Sequence, residues 1–137
     1  MSDWVKNRGR CSLEEAFKGL MEVIKGDVED INSLGLPEKK FDTVYLAEQG
    51  RPPRLVLRKI YAGLDKPVDQ AMLALHYDRE IHFYKNVRGL DPTSKLRVEW
   101  DQMAQACIYV LEGEESAASA SLEDISRALL EPLFFGD

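Results

Sequence analysis

Residues 41–87 read FDTVYLAEQGRPPRLVLRKIYAGLDKPVDQAMLALHYDREIHFYKNV, and the way this stretch divides decides the fold. Four segments, Phe41 to Glu48, Leu55 to Ala62, Gln70 to Tyr77 and Glu80 to Val87, are rich in β-branched and aromatic residues and are bounded by turn formers. Gly50, Pro52 and Pro53 separate the first two. Proline brings no N–H to a ladder, so the chain has to leave the sheet there. Gly63 and Pro67 do the same between the second and third, while only Asp78 and Arg79 stand between the last two, which predicts a tight hairpin. Successive antiparallel pairing is the simplest topology for four such segments.

Upstream, Ser12 and Glu15 form an S-x-x-E pattern, a hydroxyl to cap a first helical turn and a Glu to reach back to it. Leu13, Ala16, Phe17, Leu20, Met21 and Ile24 then recur at spacings of three and four, one apolar stripe in need of a sheet. Val28, Ile31 and Leu34 keep that spacing, so the helix runs to about Ser33, where Gly35 and Pro37 end it. Residues 1–11 precede this cap and read as a flexible arm.

Downstream, residues 96–112 admit two readings. Met103, Ala104, Ala106, Cys107 and Val110 could line a helix, whereas Ala106, Ile108 and Val110 alternate with Cys107, Tyr109 and Leu111 as in a buried strand. The β-branched and aromatic run favours a fifth strand. Residues 113–120 are small, polar and acidic and read as a mobile loop. Ser121 caps a last helix whose stripe is Leu122, Ile125, Ala128, Leu129 and Leu133, with Pro132 expected to end or kink it. The expected fold is α+β, a single domain over 1–137. An antiparallel four- or five-stranded sheet packs against an N-terminal helix, with a C-terminal helix beside it.

The chain has 137 residues, 45% of them hydrophobic, enough for one core without a metal or disulfide staple. Its apolar runs are far shorter than the roughly 18 residues that cross a bilayer, and no signal-like stretch follows the first residues. Cys11 and Cys107 stand far apart without metal-ligand spacing and read as two reduced thiols. A cytoplasmic protein is expected, with no membrane contact. The formal charge of -6 falls entirely within residues 111–137, where seven acids face only Arg127. No basic stripe suits a phosphate backbone, so nucleic acid is not an expected partner.

Motifs for hydrolase, zinc-protease and nucleotide chemistry are absent, which leans against an enzyme. His76 and His82 lie on the two arms of the hairpin. A two-residue turn sends them to opposite faces, and a one-residue bulge would bring them together. No metal or cofactor is expected. Cys11 or Cys107 beside a histidine could make a thiolate pair, but their spacing gives that no support. Asp27 and Asp30 share a helical face away from the apolar stripe, where water is their natural partner.

The most distinctive cluster is Arg51, Arg54 and Arg58, with Lys59, running from a loop into the second strand beside Tyr45, Tyr61 and Tyr77. Guanidinium groups beside aromatics can hold an anion or a partner, or can simply pair with nearby acids along an open sheet. Finally, Leu133, Phe134 and Phe135 end the last helix, and adjacent phenylalanines cannot both face one core. They therefore seal the sheet or meet another chain.

The expected function is a small non-catalytic protein–protein interaction domain, an adaptor, chaperone-like or neutralising protein, whose partner is a protein or a second copy of itself. The alternative is a small-molecule or anion-binding protein, or an enzyme, with a pocket between sheet and helices. In that case Arg54 or Arg58 would hold the anion and His76 or His82 would move a proton.

Overall fold

The structure is a computed structural model that describes residues 2–35, 39–61, 69–76, 80–85, 92–113 and 117–135. Its elements are α1 (Asp3–Gly9), α2 (Leu13–Ser33), β1 (Lys39–Leu46), β2 (Arg54–Tyr61), β3 (Asp69–His76), β4 (Glu80–Tyr84), β5 (Ser94–Asp101), β6 (Ala106–Glu112), β7 (Ala117–Ser119) and α3 (Leu122–Phe135). All strands lie in one antiparallel sheet in chain order. The fold is α+β, but the strand count differs from four or five: there are six strands of five residues or more, and a three-residue seventh.

The difference lies after residue 92. Asp101 Oδ1 accepts hydrogen bonds from the backbone N–H groups of Met103 and Ala104, and Gln105 adopts φ +51°. This Asx-type turn reverses the chain, so residues 96–112 are two strands rather than one. Met103, a candidate for a helix face, sits in the turn and is 96% exposed. β7 pairs with Val110–Glu112 inside the stretch expected to be a loop, and α1 occupies most of the expected arm.

Ser12 Oγ accepts the Glu15 N–H at 3.2 Å, so α2 starts at the predicted cap. It passes Gly26 without a break and ends on Gly35, whose φ of +63° suits a residue without Cβ. Ala16, Phe17, Leu20, Ile24 and Val28 bury its one apolar face against alternate residues of the sheet, among them Leu55, Leu57, Leu73, Ile81 and Leu96. The Ser121 hydroxyl accepts the Asp124 N–H to cap α3. Pro132 lies in the last turn, and α3 continues past it to Phe135.

α2 and α3 cover the same face and run in the same direction. Gly19 meets α3 at Leu122, where a Cβ would stand 3.0 Å from Leu122 Cδ1. About one turn on along α3 and two along α2, Ser126 Oγ donates to Asp27 Oδ2 at 2.7 Å, which satisfies a fully buried hydroxyl. Phe134 then packs on Phe41 of β1, ring centroids 4.0 Å apart.

Two restraints tie the helices to the ends of the sheet. At the free edge of β1, Asn32 Nδ2 donates to the Phe41 carbonyl at 2.8 Å, and Asn32 Oδ1 accepts the Phe41 N–H at 3.1 Å. One carboxamide thus occupies both outward groups of an edge residue and blunts that edge. At β6, Cys107 is disulfide-bonded to Cys11, 96 positions away, with Cα atoms 5.4 Å apart. This corrects the expectation of two reduced thiols. Cys11 immediately precedes α2, and the register puts Cys107 opposite Trp100, so separation in sequence said nothing of distance in space. The Arg8 guanidinium, 5.1 Å from the centre of the Trp100 ring, adds a cation–π contact from α1.

Replacing Asn32 by Ala should lower stability by about 1–3 kcal/mol in urea unfolding, the range for leaving hydrogen-bonding groups unsatisfied. Asn32→Asp should recover only part of the loss, since it keeps the acceptor and lacks the donor. An Ala variant as stable as the original would show that the clamp contributes nothing. For the disulfide, the unfolded protein should titrate with no free thiol until a reductant is added. Cys107→Ser should cost about 2–4 kcal/mol, and free thiols in the unreduced chain would contradict the bond.

Candidate functional site

The sheet face turned away from the helices is polar, and cross-strand register decides what meets there. Leu46, Arg54, Ala74, His82, Lys95 and Glu112 form one row from β1 to β6. Arg54 reaches Glu48 at 3.3 Å, and the more exposed Arg51 lies 3.8 Å from the same carboxylate. Arg58 forks onto both oxygens of Asp42 at 2.7 and 2.5 Å, and these bonds raise its already high pKa. The candidate arginines are thus held by acids of the same sheet and its adjoining loop. Tyr77 and the side chain of Tyr61 lie outside the described residues.

His76 and His82 are stacked on this face, ring centroids 3.9 Å apart and planes inclined by 29°. Opposite faces were expected from a two-residue turn. Instead Leu75 pairs with Ile81 and His76 with Glu80, so three residues separate the arms and parity brings both rings to one side. His82 Nε2 lies 2.9 Å from Glu80 Oε1, and Lys95 Nζ approaches the same oxygen at 3.6 Å. Burial, and then the neighbouring His82, push the His76 pKa down. Burial alone would push the Glu80 carboxyl up, but His82 and Lys95 together hold it below its usual value. Among the described residues no three His, Cys, Asp or Glu side chains are placed to share a metal ion.

The tail residues divide. Leu133 and Phe134 are buried, and Phe135, one helical step on, is 61% exposed. Phe135 borders a groove of about 570 Å³ between the C-terminal half of α2 and the length of α3. Ile31 and Phe135 supply most of its accessible apolar surface, with the nearly buried Leu130 and Phe134 beneath them. Asp27, Asp30, Glu123 and Glu131 line it as well, with Arg127 the one cation among the described residues. Arg127 Nε donates to Glu131 at 2.9 Å, and the Asp27 carboxylate is engaged by Ser126. A smaller hollow of about 250 Å³ lies beside Tyr45, Phe17 and Met21.

Of the residues singled out in the sequence, the groove takes in Phe134 and Phe135 and also Asp27 and Asp30. The two aspartates of α2 were expected to be merely solvated, and their place at a groove shared with α3 was missed. The available signal was an excess in α3: Leu129, Leu130, Leu133, Phe134 and Phe135 are more apolar side chains than one stripe can bury. Among known proteins, no family model matches the chain, and neither a curated protein nor a solved structure matches it.

The burial of His76 predicts an acid-sensitive fold. A His whose native pKa is depressed adds stability that is complete above its unfolded value, about 6.5, and is lost as pH falls through the native value. Glu80 is depressed too, so its contribution also disappears in acid, at lower pH. His76→Gln should therefore flatten the fall in unfolding free energy just below neutral pH. An unchanged pH profile would show that His76 is not its source.

Proposed function

We propose that this chain is a small non-catalytic interaction domain that uses the groove between α2 and α3 to hold a segment of a partner protein. The observation that carries this reading is the exposure of Phe135 beside a wide, apolar-floored groove. A large exposed ring gains by burial, and apolar surface framed by polar residues is the usual form of a docking site. The alternative of an anion-binding pocket or enzyme calls for Arg54 or Arg58 and His76 or His82 between sheet and helices. All four lie on the other face, and both arginines are already neutralised, so no observation favours it.

Among the described residues no helix is long and apolar enough to cross a membrane. The cytoplasmic expectation rested on the short apolar runs, with the reading of two reduced thiols as further support. The disulfide removes that support, since such bonds persist mainly in oxidising compartments.

Phe135 can be tested without disturbing the core, whereas truncation after Glu131 would also delete buried Leu133 and Phe134. Phe135→Asp should leave the unfolding free energy within about 0.5 kcal/mol of the original, as for other exposed positions. Peptides selected from a random library against the intact chain should compete for one surface and bind this variant about tenfold or more weakly. Selected peptides that bind both proteins equally would overturn the groove as the docking surface.

A further inference from the structure

We propose that the segment held by the groove is a basic amphipathic helix; this rests on the groove being the docking surface. Among the described residues of the lining, Asp27, Asp30, Glu123 and Glu131 against Arg127 give a formal balance of -3, and Arg127 is already bound to Glu131. No cation among the described residues pairs with Asp30 or Glu123. Two carboxylates thus stand beside an apolar floor without a paired cation among the described residues, Glu123 with only the first-turn dipole of α3 to favour it, and a partner that brings Lys or Arg lowers their repulsion as it docks.

The apolar part selects a helix. Ile31 on α2 and Leu130, Phe134 and Phe135 on α3 lie along two helices that run the same way, so the groove between them is linear. A helix seats apolar side chains every three or four residues along such a line and keeps its polar flanks over the rims. Nucleic acid and anionic lipid would bring negative charge to a negative rim. A second copy docking through its own α3 would oppose carboxylates to carboxylates. The occupant left by the chemistry is a helix with an apolar stripe flanked by lysine or arginine.

The probe is a synthetic Leu/Lys peptide of about 15 residues, long enough to hold a helix, with Leu at helical spacing. Its controls are a Leu/Glu peptide of the same pattern and a scrambled Leu/Lys peptide. Fluorescence anisotropy is measured with the full chain, with Phe135→Asp, and with the double variant Asp30→Lys/Glu123→Lys, whose changes lie at exposed positions. The Leu/Lys peptide should bind the original about tenfold or more tightly than either control. The charge-reversed variant should invert the preference toward Leu/Glu.

If Leu/Lys and Leu/Glu bind equally and both are weakened by Phe135→Asp, the basic partner is overturned while the docking groove stands. If binding ignores Phe135→Asp, the docking groove itself is overturned. Equal binding of the scrambled peptide excludes the helix. Light scattering on the same samples reports a second copy as occupant, and a concentration-dependent dimer lost on Phe135→Asp would replace the foreign helix with self-association.

Discussion

Burial of one sheet face beneath α2 is the constraint from which the rest follows. Leu20 and Ile24 on the helix, and Leu55, Leu57, Leu73, Ile81 and Leu96 on five-residue or longer strands, are wholly excluded from water. Each such side chain contributes about 1.5–3 kcal/mol relative to an exposed one, more than any surface ion pair in the molecule can offer. Because side chains alternate along a strand, burying one set commits the other to solvent, and the register of every hairpin is fixed with it.

The two faces consequently have different chemistry. On the solvent face, Arg58 and Asp42, Arg54 and Glu48, and Arg97 and Glu112 pair across or beside neighbouring strands. These contacts make a polar surface and leave the arginines occupied. On the covered face α3 lies beside α2. The helices approach closely at Gly19, are joined at Ser126 and Asp27, and leave a groove where Ile31 and Phe134 follow. Asn32 belongs to the same corner: it holds the backbone of Phe41, whose ring supports Phe134 from below. The groove floor is therefore anchored to the edge strand, although its rim is open.

Local features were legible in the sequence where one residue's chemistry sufficed. The Ser12 cap, the stop at Gly35, the start of α3 after Ser121 and four strands within a few residues of their ends all follow from short-range rules. Long-range features were not. The disulfide joins residues 96 apart, and its geometry exists only once α2 crosses the sheet. The histidines met because a connection of three residues replaced one of two, a change of parity that composition does not reveal. Residues 96–112 hid a turn because Asp101 bonds the backbone ahead of it, while Met103 and Ala104 suggest a helix. In the tail, helical geometry already implied that Phe134 and Phe135 must part. Which one faces water required the packing against Phe41.

The central claim is that the α2–α3 groove, and not the polar sheet face, is the surface that meets a partner. Amide chemical-shift mapping of the full chain, titrated with the Leu/Lys helix, separates the two most directly. The account predicts shifts centred on Asp30, Ile31, Leu130, Glu131 and Phe135, with His82, Lys95 and Arg97 unmoved. Shifts centred on those three residues, with the groove silent, would contradict it.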